Sequence, residues 1–377
     1  MIGATWAQAL TWRLGRQFLL DRAGPEHVPA VVDRLCGLHA QLMSSVEWSL
    51  CARFDGLTVD DVRACLWERR TLVKLWAMRA TLHVLAAESL GLFLAGMRAY
   101  EQAWTLYGLR DPIRLELADR IATAVRGRVL TRRQLAAAVG QHGGGDRERE
   151  LLLGGWGGAL KPASFLGHLC FGPPDGPRVR FTDPASWLGS APERPDRAAA
   201  LAEIARRFLD AYGPAGAADL AGWWGVNNAQ AADMLASLGE AAVEVDIDGR
   251  RLWMTAEHGR ELATVTPARV VRLLPAFDQW MVCANRLDGG GSRPGPGLPA
   301  LHPGRRTDVY RRQGWVSPVL VVDGRIDGVW AHRRTGKTLH VRISPFGRLP
   351  RHARAGIDAE VERLARFSCA EPAVSME

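Results

Sequence analysis

Apolar and polar positions along the chain switch between two periods, and the order of the switches recurs. In "DLAGWWGVNNAQAADMLASLGEAAVEVDIDGRRLWMT", residues 219–255, Leu220, Trp223 and Trp224 close one helical stripe, while Ala232, Leu235 and Leu238 mark the next. Asn227 and Asn228 between them supply a turn and an N-cap. The period then drops to two: Val243, Val245 and Ile247 alternate, Asp248-Gly249 makes a tight turn, and Leu252 and Trp253 return. Helix, turn, helix and hairpin in this order predict a winged-helix module. The same order is read from "LTRRQLAAAVGQHGGGDRERELLLGGWGGALKPASFLGHLCFGPPDGPRVRFT": a helix from Thr131, a Gly143-Gly144-Gly145 break, a second helix, and strands around His168–Phe171 and Val179–Phe181. Nearer the N-terminus, helical patterns at 28–41, 44–54 and 58–69 precede "TLVKLWAMRATLHVL", whose β-branched and aromatic residues predict a short hairpin.

After Pro267 the texture becomes strand-like. "SPVLVVDGRIDGVWAHRRTGKTLHVRISPF" predicts a β-meander turning at Asp323-Gly324 and Thr335-Gly336, preceded by a mobile Gly/Pro loop, "LDGGGSRPGPGLPALHPG", and followed by a helix over Arg351–Phe367. The chain is therefore expected to be α+β. Its three tandem winged-helix modules span 1–110, 111–195 and 196–266, and a basic β-rich element with a terminal helix spans 267–377.

Composition narrows the setting. A chain of 377 residues, 47% hydrophobic and 23% charged, buries a substantial core. Its six cysteines, at 36, 51, 65, 170, 283 and 369, form no Cys-x-x-Cys pair and no zinc-spaced cluster, which suits buried thiols in a reducing compartment. No stretch reads as a signal peptide or membrane span, so a cytoplasmic, nucleoid-associated protein without a membrane partner is expected. The formal charge of +8 is concentrated: residues 301–356 hold twelve Lys or Arg against three Asp, a balance of +9. Such a segment suits a polyanion, and winged helices suit duplex DNA, although a solvated basic face and a protein-binding winged helix remain alternatives. Most of the fourteen tryptophans, Trp12, Trp67 and Trp76 among them, sit at core spacings.

Within "DRLCGLHAQLMSSVEWSLC", His39 and Gln41 stand out in an apolar run. Side chains two apart on a straight helix point about 200° apart, so they converge only where the helix ends. Ser44-x-x-Glu47 has the form of a capping box, which would start a new helix at Ser44 and leave Gln41 on a last turn or loop. The alternative is a satisfied core histidine beside a glutamine that caps carbonyls. Asp278 in "AFDQW" either orients a ligand or caps a helix, the latter favoured. Arg311, Arg312 and Trp315 in "YRRQGW" suit phosphate contact beside a groove, or a solvated pair above a core tryptophan.

Five blocks, "LHAQ", "TLVKLWAMRATLHVL", "LKPASFLGHLCFGPPDG", "RLLPAFDQWMVCANR" and "RRQGWVSPVLVVDGRIDGVW", resemble in this order the bacterial winged-helix DNA glycosylases of the AlkZ and YcaQ kind. The resemblance runs over nearly the whole chain. It implies three tandem winged-helix units with a C-terminal β-barrel-like element, bound to duplex DNA carrying alkylated or crosslinked purines. The implied activity is monofunctional excision, in base excision repair or self-resistance to a genotoxin, by a monomer needing no metal or cofactor. The family's catalytic Gln-x-Gln or Gln-x-Asp falls on His39-Ala40-Gln41, so Gln41 matches and His39 departs from the pattern. On the same resemblance Thr81 and His83 line the substrate pocket, the alternative being a structural strand histidine.

A cationic alkylpurine leaves as a neutral base, so little general-acid help is required. What remains is to stabilise an oxocarbenium-like sugar and aim water at C1′. A glutamine amide can accept a hydrogen bond from that water, and a neutral imidazole can take its proton. The competing class is a non-enzymatic winged-helix regulator or scaffold. A metal-dependent nuclease is disfavoured by the lack of a compact Asp/Glu/His cluster.

Overall fold

The computed structural model describes residues 2–154, 157–282 and 300–377. They form two compact units: Met1–Val62, Ala205–Trp223 and Asn227–Glu377 in the first, Arg63–Ile204 and Trp224–Val226 in the second. The fold is mixed α+β.

In the first unit, Thr5 caps the helix Trp6–Arg16 by a reciprocal box with Gln8. The hairpin Ala242–Ile247/Arg250–Thr255 forms where the two-residue alternation predicts it, with Asp248 and Gly249 both at positive φ in its turn. Strand Ile2–Ala4 adds to it in parallel through Ile2↔Val245 and Ala4↔Ile247. Trp12, Val245, Ile247 and Met254 fill the core between helix and hairpin. Before the hairpin, helix Asn228–Ala236 is capped by Asn227 with Gln230, as the spacing suggests. Its buried stripe is Ala231, Met234 and Leu235, with Ala232 exposed, one position off the expected stripe.

The C-terminal half of this unit is a five-stranded sheet in the order Val271–Leu274, Val319–Val322, Arg325–Thr335, Thr338–Pro345, Glu371–Met376. The first four strands are an antiparallel meander turning at Asp323-Gly324 and after Thr335, and the last pairs in parallel with Thr338–Pro345. Its edge strands do not pair with each other, so among the described residues the sheet is open, and the barrel-like closure implied by the resemblance is corrected. Helix Ala353–Phe367 closes the core instead, packing Ile357, Val361 and Leu364 against Val271, Leu320, Trp330 and Val341. The Gly/Pro run at 287–304 lies outside the described residues through 299.

This helix also carries a buried charge network. Glu360, 3% exposed, meets Arg22 at 2.5 Å, Arg363 at 3.0 Å and Arg272 at 3.9 Å. Burial by itself pushes the Glu360 carboxyl up, but the guanidiniums of Arg363, Arg22 and Arg272 together hold it below the ordinary value. A carboxyl lowered on folding stabilises above its unfolded pKa, and that contribution is lost as pH falls through the folded value. Glu360→Gln is therefore expected to cost on the order of a few kcal/mol at neutral pH. The gap to wild type should shrink in acid, as pH falls through the lowered folded value and the native carboxyl protonates. Urea midpoints across that range check it, and a constant gap would contradict it.

In the second unit, strands Leu72–Ala77 and Thr81–Ala86 form the predicted hairpin, in register from Leu72↔Ala86 to Ala77↔Thr81. Arg79 and Ala80 turn it at φ 57° and 54°. Thr131 caps helix Arg132–Gln141 through a box with Gln134. Helix Asp146–Leu153 follows the glycine break, and the hairpin Cys170–Asp175/Arg178–Thr182 follows in turn, with Leu130–Thr131 paired to its second strand. Trp76, Phe171 and Phe181 cluster, with ring centroids 5.0 to 6.3 Å apart. Trp12 and Trp76 are buried as expected, whereas Trp67 is half-buried.

Candidate active site

His39 and Gln41 follow a helix that ends earlier than its apolar pattern suggests. The helix spans Val28–Arg34, and Cys36 and Gly37 then enter the left-handed region at φ 55° and 91°. The amides of Cys36 and Gly37 donate to Asp33 and Val32 carbonyls, both at 2.9 Å, which closes the helix end. The chain leaves extended as Leu38–His39. The extended pair stops at His39 and Gln41 follows at a bend, so both stand beyond the end of the helix. Burial ends between them: His39, 9% exposed, and Ala40 are buried, whereas Gln41 is exposed at the bend. The next helix is Met43–Cys51, with Leu42 at its N-cap and no side-chain cap bond. Ser44 and Glu47 are therefore helical residues rather than a capping box.

The segment 276–282 backs this stretch. Phe277 stands at φ 60°, and its ring stacks on the His39 imidazole with centroids 5.0 Å apart and planes 14° from parallel. Its neighbour Asp278 is fully buried. The two carboxylate oxygens accept from both terminal nitrogens of Arg53, at 2.7 and 2.9 Å, and one also accepts the Trp280 amide at 2.9 Å. Asp278 thus caps the short helix Gln279–Val282, the favoured reading, and reaches a ligand only through what it anchors. Gln279 donates from Nε2 to the Gly37 carbonyl at 2.7 Å, tying this segment to the turn two residues before His39.

Arg311, Arg312 and Trp315 sit on a tight loop in the same unit. The Arg311 amide donates to the Trp315 carbonyl at 2.9 Å across a turn with Gln313 and Gly314 at φ 62° and 75°. Both arginines are exposed. Trp315 is 43% exposed, so it is not the core tryptophan of the bland alternative, and it meets Phe277 edge-on at 5.1 Å and 77°. The structure thus gathers "HAQ", "AFDQW" and "RRQGW" around one aromatic series, His39, Phe277 and Trp315.

Thr81 and His83 belong to the second unit. Thr81 is half-buried, with its hydroxyl donating to the Met78 carbonyl at 3.0 Å, and His83, 1% exposed, lies with Nδ1 3.0 Å from the Thr81 carbonyl. Among the described residues, no three His, Cys, Asp or Glu side chains converge as a metal site, and no helix is long and apolar enough to cross a membrane. Phe277, Gln279 and Arg53 are the residues the sequence does not single out. Their one local signal is Arg53 itself, a cation set in the apolar run that ends the helix Met43–Cys51.

The model of the AlkZ-like DNA glycosylases matches residues 32–367. The chain belongs to this family. An AlkZ-like protein of Streptomyces sahachiroi, described as an interstrand DNA cross-link repair glycosylase, is 33% identical, with 97% of each chain covered. The solved structure of the S. sahachiroi DNA glycosylase AlkZ superimposes with a TM-score of 0.86 at 32% identity, covering all of both chains. As an AlkZ-like enzyme, this protein is a DNA glycosylase, a hydrolase.

Proposed function

We propose that this AlkZ-like enzyme hydrolyses the N-glycosidic bond of cationic alkylated purines in duplex DNA, of the N7-alkylguanine and N3-alkyladenine type. Interstrand crosslinks through such purines are included, the S. sahachiroi relative being described as an interstrand DNA cross-link repair glycosylase. The observation that carries the reading is the pair His39, ending an extended stretch, and Gln41, exposed at the bend after it, with His39 linked through Phe277 to the exposed Trp315 of the Arg311-Arg312 loop. Gln41 aims a water at C1′ through its amide oxygen, and His39 takes the proton of that water as the C1′–N bond breaks and the cationic base leaves neutral. No covalent bond to the enzyme forms, so the product is an intact abasic strand. A pocket role for Thr81 and His83 rests on the family resemblance alone, and Asp278 acts on His39 through Phe277 and Gln279.

The three helix-turn-helix-hairpin segments are read as winged helices that hold the duplex by its backbone, in the cytoplasm at the nucleoid. Their local support is the order of elements and the caps at Asn227 and Thr131. The deciding experiment incubates purified protein with a duplex containing N7-methylguanine in the presence of EDTA. Release of free base and an alkali-labile but unbroken strand is expected. Tight duplex binding without base release, on simple and crosslinked lesions alike, would leave a binding protein in place of this activity.

The arginine loop carries a separate expectation. Replacing Arg311 and Arg312 with alanine should weaken binding to any duplex and flatten the dependence of log affinity on log salt by about one per lost phosphate contact. Sequence preference should stay the same, and excision at saturating enzyme should survive better than at low enzyme. Fluorescence anisotropy over a salt series checks this, and an unchanged slope in a folded variant would mean these arginines meet no phosphate.

A further inference from the structure

We infer that Phe277 is a positioning residue for excision: its ring, pinned by the Arg53–Asp278 pair and the Gln279–Gly37 hydrogen bond, sets the plane of the His39 imidazole. This rests on the proposed role of His39 as the base. The terminal torsion of a histidine is soft, with no sharp staggered wells, so an imidazole that must meet one water needs something flat to fix its tilt. The Phe277 ring supplies that, nearly parallel at 14° with 5.0 Å between centroids. The ring is costly to place. Phe277 is a bulky residue at φ 60°, a backbone state that persists only where the surroundings over-determine it.

The surroundings do so through the two residues that follow it. Asp278, the next residue, is gripped by a fully buried guanidinium and caps the helix that follows. Gln279, two residues after Phe277, is bonded to Gly37, two residues before His39. A short covalent and hydrogen-bonded circuit therefore fixes one ring against the other. A side chain present only to fill space would need neither a left-handed backbone nor an ion pair behind it.

The test measures single-turnover release of N7-methylguanine, duplex affinity and melting temperature for Phe277→Leu, Phe277→Tyr, Gln279→Met, His39→Ala and the double variant His39→Ala/Phe277→Leu. Phe277→Leu keeps apolar bulk and loses the flat face. It should slow release about ten- to a hundredfold, the scale of a small misplacement of a reacting group, with duplex affinity unchanged. Phe277→Tyr keeps the face and should stay near wild type. Gln279→Met leaves the ring but cuts its tether, and should slow release without moving affinity, which keeps the test open if the leucine variant folds poorly. The double variant should be no slower than His39→Ala alone, since one defect contains the other. A slow His39→Ala with a wild-type-fast Phe277→Leu, or two slowings that multiply in the double variant, overturns the positioning role and leaves the proposed function standing. A His39→Ala protein that releases base at the wild-type rate removes His39 from the mechanism, and the positioning role with it.

Discussion

Alanine at His39 or at Gln41 slows single-turnover excision by about ten- to several-hundredfold, the range for a lost general base or water-positioning group, while duplex affinity changes little. The two losses should not multiply, because both groups act on the same water, one aiming it and one accepting its proton. His39→Gln, which restores the family's usual pattern at this position, should recover part of the loss, since an amide can still orient the water without taking its proton. The substrate sharpens the expectation. Where the leaving base carries a positive charge, departure is easy and water activation is a smaller share of the barrier. Slower-leaving adducts should therefore suffer more from His39→Ala than N7-methylguanine does. Single-turnover rates on both lesion types, with enzyme in excess, check the pattern. Excision near the wild-type rate by both alanine variants would return His39 to the reading of a satisfied core histidine, packed on Phe277 and nothing more.

Much of the fold lies in local signals that the chain carries openly. The boxes Thr131/Gln134 and Asn227/Gln230 start helices where the spacing predicts, and Asp248-Gly249 and Asp323-Gly324 turn strands where two-residue alternation runs out. Other features depend on partners far along the chain. Strands Ile2–Ala4 and Glu371–Met376 are edge additions in parallel, too short and unpatterned to be recognised without the strands they join. The stretch Leu35–Gln41 reads as helix because it is apolar, yet Cys36 in a left-handed conformation and Gly37 behind it end the helix. Gly37 was the available sign. Ser44-x-x-Glu47 is the converse, a correct motif inside a helix whose start is set one residue earlier. The site divides in the same way. His39 and Gln41 are visible as polar residues in an apolar run, whereas Phe277 is known only from its contact with His39, and Arg53 finds Asp278 225 positions away.

That long-range pair yields the largest expected effect on stability. Asp278→Ala leaves the Arg53 guanidinium fully buried, with the Ser49 carbonyl still accepting one of its hydrogens and no carboxylate beside it. Breaking a buried pair from one side costs about 3–5 kcal/mol, more than the pair's net worth, because the surviving charge stays in a medium that solvates it poorly. Asp278→Ala also removes the acceptor of the Trp280 amide and loosens the turn that holds Phe277 at φ 60°. Arg53→Met/Asp278→Leu takes away both charges and keeps apolar volume, so it should cost clearly less than Asp278→Ala alone. Urea unfolding of the single and double variants measures the difference, and hydrogen exchange should show the loss centred on 276–282 and on the end of the helix Met43–Cys51. A double variant as unstable as Asp278→Ala would mean that the geometry of the pair, rather than compensation of a buried charge, is what the fold depends on. If instead the double variant is stable yet slow in excision, stability and catalysis draw on the pair separately, the first through its charge balance and the second through the ring it holds against His39.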